Sequence, residues 1–180
     1  MSGRLVAVVG PSGVGKDTVI AALAARRAGL HAVRRVITRP ALPGAERHEP
    51  VSEAEFDRRE AAGDFALAWR AHGLAYAIPT AEIACLADGR DALANLSRGA
   101  LPAARARFPG FVVLHLTAPP EVLAARLAGR GRESETEIAA RLARADRTLP
   151  DGIEAVEIDN SGPVGQAADA ALARLYPVRA

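Results

Sequence analysis

Apolar runs and polar breaks alternate along the chain so that strands and helices are predicted in turn. Leu5-Val6-Ala7-Val8-Val9 is an uninterrupted apolar run, the mark of a strand buried on both faces of a parallel sheet. A helix is predicted over 16–27, ending in Arg26-Arg27 with Gly29 as its stop. Residues 33–37 predict a short strand. At Val51-Ser52-Glu53-Ala54-Glu55-Phe56, Ser52 and Glu55 read as a capping box and Val51 with Phe56 as a hydrophobic staple, opening a helix that runs to about Ala62 and Gly63. Residues 65–69 and 74–78 predict two strands around a turn at His72-Gly73. Beyond them the pattern predicts a helix over 79–86, a core strand over 91–96, a helix over 99–108 and a core strand over 111–117. A helix opened by Pro119-Pro120, a short strand over 155–158 and a closing helix over 163–175 complete the chain.

This alternation implies an α/β fold, a parallel central sheet with helices on both faces and ligands at the carboxyl ends of its strands. That edge collects residues 10–18, Asn95 to Arg98, Thr117 and Asp159-Asn160. One domain accounts for 180 residues, read as a core (1–33, 80–129 and 148–180), an inserted unit over 34–79 and a separate segment over 130–147. No repeat, low-complexity tract or interdomain linker interrupts it.

Composition narrows the function classes. Apolar residues make up 49% of the chain, enough for a substantial core, and the net charge is only +2. The isoelectric point near 9.2 reflects arginine's high pKa near charge balance, and with aromatics at 4% and no basic tail it argues against nucleic-acid binding. The single cysteine, Cys85, fits a reducing compartment, and no apolar run approaches the ~20 residues needed to span a membrane. The expectation is a cytoplasmic protein, monomer or homodimer, with neither membrane nor nucleic-acid partner.

The chemistry concentrates between the first strand and the first helix. Gly10-Pro11-Ser12-Gly13-Val14-Gly15-Lys16-Asp17-Thr18 matches the phosphate-cradling pattern G-x-x-x-x-G-K-[ST] at every fixed position but the last. Gly10, Gly13 and Gly15 let backbone N–H groups approach phosphate oxygens, and the helix behind adds its own unpaired N–H groups. Lys16 supplies a mobile charge for the β and γ phosphates. It is the only lysine among 23 basic residues, so a composition that otherwise avoids lysine retains one where phosphate chemistry requires it. Asp17 stands where a hydroxyl normally meets Mg²⁺, and Thr18 follows one residue late. Asp17 and Thr18 are therefore the candidate ligands of Mg²⁺.

Two arginine-rich stretches extend the site. Arg34, Arg35 and Arg39, with Thr38, read either as a solvated edge strand or as an anion clamp suited to phosphate. Gly129-Arg130-Gly131-Arg132 precedes a second capping box, Ser134 to Glu137, and a helix with Arg141, Arg144 and Arg147 along one face. Beside a phosphate loop, this glycine-hinged segment reads as a lid over transferring phosphate.

Together these features resemble the guanylate-kinase-like family of P-loop kinases. The resemblance runs over nearly the whole chain, through the loop, Thr38-Arg39 and the proline turn, Ser52 to Phe56, Gly63-Asp64-Phe65, the hairpin from Gly73 to Tyr76, the segment from Arg126 to Arg144, and Asp159-Asn160. It implies a P-loop NTPase three-layer sandwich with an inserted substrate-binding unit and an arginine-rich lid. Guanylate kinases place a glutamate just after the Gly-x-Phe step and an acidic residue at the end of the next core strand. This chain has Ala66-Leu67-Ala68-Trp69 and Asn95 there. A base site cannot simply lose such hydrogen bonds, because buried unpaired groups are costly.

The variant pattern Gly-Lys-Asp-Thr, Ile37 to Pro40, His48-Glu49-Pro50, Trp69 to Leu74 and Asn95 to Arg98 resembles the ribose 1,5-bisphosphate phosphokinases of phosphonate breakdown. That resemblance implies ATP and Mg²⁺ as cofactors and a phosphorylated sugar as acceptor, converted to 5-phosphoribosyl 1-diphosphate (PRPP). It makes Lys16, Arg130, Arg132 and Arg141 the catalytic cations, and residues 10–18 with Arg126 and Asn160 the nucleotide site. Arg35, Thr38, Arg39, His48, Glu49, His72, Tyr76, Asn95, Ser97 and Arg98 become the acceptor site. The alternatives at this stage are a nucleoside monophosphate kinase with an altered base site and a non-catalytic interaction module.

Overall fold

A computed structural model describes residues 2–40, 47–129 and 148–177. The proposed lid over 130–147, with Arg130, Arg132 and Arg141, and most of the proline-rich turn after Pro40 lie outside the described residues.

The main sheet is built on β1 (Leu5–Val9), every residue of which is buried. β7 (Ala92–Asn95) and β8 (Phe111–Thr117) flank it in parallel; β2 (His31–Ala32) lies beyond β7 and β9 (Val156–Asp159) beyond β8. The order β2-β7-β1-β8-β9 leaves β1 central: the chain leaves its carboxyl end through the first helix toward β2 on one side, while the neighbouring β7 connects to β8 on the other. This is the topological switch at which open α/β sheets bind ligands.

Strand alternation gives each face its own core. Val6, Val8, Leu93 and Leu114 pack with Val19, Ile20 and Leu23 of α1 (Lys16–Arg26), Leu123 of α4 (Pro120–Ala128) and Ala167, Ala168 and Ala171 of α5 (Val164–Leu175). Leu5, Ala7, Val9, Ala92 and Ala94 face the other way, onto Leu101 and Ala104 of α3 (Leu101–Arg107) and the second sheet. Burying such side chains is worth roughly 1.5–3 kcal/mol each, so the two faces supply most of the drive to fold.

The second sheet has the order β4-β3-β6-β5, with β3 at Val36–Ile37, β4 at Glu49–Pro50, β5 at Phe65–Ala71 and β6 at Leu74–Pro79. Its Val36, Ala75 and Ala77 pack on Phe56 of α2 (Glu53–Ala61), while Ile37, Trp69, Tyr76 and Ile78 join the core of the main sheet. Ser52 caps α2 by accepting from the Glu55 N–H at 3.2 Å. The return half of the expected capping box is absent: the Glu55 carboxylate takes two 2.8 Å hydrogen bonds from Arg58 instead. The hairpin turns at His72 and Gly73, with φ of 54° and 74°.

Two expectations are corrected. The strand expected over 33–37 is divided between sheets. His31 and Ala32 pair with β7, Val33 still donates to Leu93, and Val36 and Ile37 pair with β4 and β6. The helix expected over 79–86 is a 3-10 helix over Thr80–Leu86, with Ala87 donating back to Ala84. Among the described residues, no helix is long and apolar enough to cross a membrane.

Candidate active site

The loop after β1 turns tightly because close neighbours leave no room for side chains. A Cβ on Gly10 would lie 2.5 Å from the Leu116 carbonyl, and one on Gly15, at φ 92°, would lie 3.0 Å from the Asn160 amide. Gly15 precedes α1 and offers no side-chain cap, so the helix presents unsatisfied N–H groups to the loop. Lys16, the first residue of α1, folds back to donate to the carbonyls of Gly10 at 3.0 Å and Pro11 at 3.2 Å.

The far wall of the loop is tied down from the end of β9. Asn160 is buried and donates from Nδ2 to the Val14 carbonyl at 2.6 Å. Arg126, on α4, donates to the carbonyls of Asn160 at 2.7 Å and Ser161 at 3.2 Å, with a longer reach to Val14 at 3.4 Å. Both residues were expected at the nucleotide. The structure sets them against backbone carbonyls, where they hold the β9 loop and the phosphate loop in one arrangement.

Asp17 and Thr18 are exposed in the first turn of α1. Asp17 Oδ1 accepts from Asn95 Nδ2 at 2.7 Å. A carboxylate and a hydroxyl beside a phosphate cradle are hard oxygen donors, the chemistry Mg²⁺ takes, and Mg²⁺ needs only one or two carboxylates when phosphates and water fill the rest.

On the other side of the carboxyl edge stands an aromatic and cationic wall. Trp69 and Tyr76 are direct partners across β5 and β6, and their rings stack at 5.4 Å with 8° between planes. The Arg35 guanidinium, only 5% exposed, lies 5.3 Å from the Tyr76 ring centroid and 6.0 Å from that of Trp69. Trp69 Nε1 donates to Ser97 Oγ at 3.0 Å, bridging the second sheet to the loop after β7. Arg98 follows Ser97. Its charge reaches His115 on β8: burial first, and then Arg98, push that imidazole below its ordinary pKa, against the pull of Glu157.

The remaining expected acceptor residues are more dispersed. Thr38 Oγ1 accepts from the Ala75 N–H at 2.9 Å, extending the pairing of β3 with β6. The buried His48 ring is 2.9 Å from the Arg39 carbonyl. Arg39 Nε is itself buried without a hydrogen-bond partner among the described residues. Glu49, on β4, pairs with Arg59 of α2 at 2.7 Å. His72 is exposed on the hairpin turn, lining a groove of about 530 Å³ with Thr38, Glu53, Asp57 and Arg70. Trp69 was absent from the expected acceptor residues, yet it stacks on Tyr76 and donates to Ser97, two residues that were among them. Its place opposite Tyr76 in the hairpin was the available signal.

A parallel sheet switching at a glycine-lysine phosphate loop, with a second sheet facing its carboxyl edge, defines a P-loop kinase, a phosphotransferase. The comparisons agree. A family model described as an AAA domain matches residues 6–146. Guanylate kinase from Anaplasma phagocytophilum superposes with a TM-score of 0.73 at 18% identity, covering 99% of this chain and 88% of that one. Ribose 1,5-bisphosphate phosphokinase PhnN from Ruegeria sp. (strain TM1040) is 51% identical over 180 residues, covering 99% of this chain and 94% of the relative. The protein of the same name from Acidiphilium cryptum (strain JF-5) is 58% identical over 149 residues, covering 80% and 78%. The chain belongs to the ribose 1,5-bisphosphate phosphokinase family.

Proposed function

We propose that the protein transfers the γ-phosphoryl group of ATP to the 1-phosphate of ribose 1,5-bisphosphate, forming 5-phosphoribosyl 1-diphosphate and ADP in phosphonate breakdown. The observation that carries this reading is the wall of Arg35, Trp69, Tyr76 and Ser97. It offers a buried cation, aromatic faces and a hydroxyl, while Ala66 and Leu67, where a base-reading glutamate is expected, are buried and apolar. Such a surface suits an acceptor with phosphates at both ends and no base.

In the reaction, an oxygen of the sugar 1-phosphate attacks the γ-phosphorus. The bond to the β–γ bridging oxygen breaks, and ADP leaves with that oxygen. The second pKa of a phosphate monoester is near ~6, so the attacking oxygen is largely deprotonated at neutral pH and no general base is needed. The protein aligns the two phosphates and neutralises charge. Lys16 and the N–H groups of the loop hold the donor, and Arg35, Arg39, Arg98 and Tyr76 hold the acceptor phosphates. Thr38, His48, Glu49 and His72 flank the sugar. Mg²⁺, held by Asp17 with Thr18 or water, would supply additional neutralisation of the donor phosphates. Residues 34–79 act as the acceptor-binding insertion, and residues 130–147 as a lid bringing Arg130, Arg132 and Arg141 to the transferring group. We further propose a cytoplasmic enzyme, monomer or homodimer, with no nucleic-acid or membrane partner.

A coupled ADP-release assay across ribose 1,5-bisphosphate, GMP, AMP and dTMP tests the reading. Turnover is expected with the sugar bisphosphate and little with the nucleotides. Strong turnover of GMP with none of the sugar would overturn it in favour of a nucleoside monophosphate kinase.

A further inference from the structure

Asn95 was expected among the acceptor-binding residues, but strand geometry turns it elsewhere. Ala92, Ala94 and Leu96 pack into the core shared with Trp69 and Tyr76, whereas Leu93 packs into the core under α1. Alternation sends Asn95 to the α1 side, and there its Nδ2 meets Asp17 Oδ1 at 2.7 Å. The contact is fixed from both ends. Val8 lies opposite Asn95 in the register, and Leu96 donates to the Val8 carbonyl at 3.1 Å, which holds the end of β7 beside the strand that feeds the phosphate loop. Asn95 is buried, and Asp17 is exposed. Asp17 Oδ2 accepts no hydrogen bond from any described residue.

We propose that Asn95 is a positioning residue: it locks the Asp17 side chain in one rotamer and leaves Oδ2 directed to a divalent cation at the edge of the phosphate loop. This role rests on the kinase reading above. The residue types fit the task. A carboxamide orients a carboxylate through a hydrogen bond without neutralising it, whereas an arginine there would cancel the charge a cation needs. A second carboxylate at 95 would face the first so closely that both could not stay ionised. The amide at the strand end and the carboxylate in the loop thus form one unit, in which Asp17 supplies the charge and Asn95 its aim. Mg²⁺ demands near-ideal octahedral geometry, so a ligand free to rotate binds it less well.

The test uses Mn²⁺ as the probe. Free Mn²⁺ is followed by electron paramagnetic resonance in the presence of ADP, for the wild type, N95A, D17N and the double variant N95A/D17N. N95A is expected to weaken Mn²⁺ binding about tenfold, the usual cost of removing a partner that orients a metal ligand. ADP affinity without metal should be unchanged, and N95A should add nothing further in the D17N background. Unaltered Mn²⁺ affinity in N95A overturns the proposal, as does an equal loss with and without Asp17. A rise in acceptor KM as the sole effect likewise overturns it and returns Asn95 to the acceptor site. Should N95A fail to fold, Asn95→Leu, which keeps the volume of the buried side chain and removes its donor, takes its place with the same expected loss of Mn²⁺ affinity; unaltered affinity there overturns the role. A wild type that binds no Mn²⁺ with ADP overturns the kinase reading itself, and this role with it.

Discussion

Lys16 shows how far one side chain can be read from spacing. Its ammonium reaches back to the Gly10 and Pro11 carbonyls and so already spans the loop a nucleotide would occupy. Neither contact belongs to the core, so Lys16→Ala should leave the circular dichroism spectrum and thermal midpoint near those of the wild type. Turnover should fall by about 10²–10³-fold, the typical cost of removing one preorganised group that stabilises transition-state charge. Normal turnover in that variant would remove the basis for the phosphate cradle. The identity of Lys16 was legible because a short local pattern fixes it. The partner of Asp17 was not legible, because the Asn95 amide comes from 78 positions away and no spacing rule joins a loop to the end of a particular strand. Arg126 is similar: its charge was visible in the sequence, but not its engagement with a row of backbone carbonyls.

At the scale of elements, local signals were read well and pairing was not. α2 was legible because Val51, Ser52 and Phe56 lie within one short local stretch, and the hairpin because His72-Gly73 separates two apolar stretches. Residues 33–37 carry the composition of a single strand, yet the chain leaves one sheet after Val33 and enters the other by Val36. Which sheet a residue joins depends on partners outside the segment, Leu93 for Val33 and both Glu49 and Ala77 for Val36, and no pattern within the segment records them. The same limit hid β4, whose two residues are strand only because β3 lies beside them. The cap on α2 can be tested alone. Ser52→Ala removes the acceptor for the Glu55 N–H and should lower stability by about 1 kcal/mol. Measured by urea unfolding, that loss should come with unchanged ADP affinity, since α2 contributes no group to the phosphate loop. A variant as stable as the wild type would mean that Phe56 and the Arg58 pair hold the helix start without the cap.

Across the whole molecule, the carboxyl edge of the main sheet carries the chemistry and the opposite edge carries a polar lock. Asp91, just before β7, accepts from the Arg4 backbone at 2.7 Å and from its guanidinium at 2.8 and 3.0 Å. Tyr176, just after α5, donates to the same carboxylate at 2.6 Å, while the Arg27 guanidinium lies 3.8 Å from the Tyr176 ring centroid. The lock therefore joins the start of β1, the approach to β7 and the end of α5, three segments far apart in the chain. Burial alone would raise the Asp91 carboxyl, but the hydrogen bonds from Arg4 and Tyr176 outweigh it and hold it below its ordinary value. Burial, and then the Asp91 bond, push the Tyr176 hydroxyl up to about 12. The two shifts set opposite limits. The Asp91 contribution is present above the ordinary carboxyl value and is lost as pH falls through its depressed one. Unfolded Tyr176 ionises near pH 10 while the folded residue keeps its proton to about 12, so that contribution is lost as pH rises between those values. Tyr176→Phe should cost about 1.5 kcal/mol at neutral pH, the lower range for a hydrogen bond to a charged group. Because phenylalanine does not titrate, the variant should also lose stability less steeply between about pH 10 and about pH 12. Urea midpoints across that interval measure the difference. Parallel alkaline limbs in the two proteins would mean that Tyr176 does not carry the alkaline limit. Because the lock sits at the far end of the strands from the phosphate loop, kcat and KM at neutral pH should not move with it.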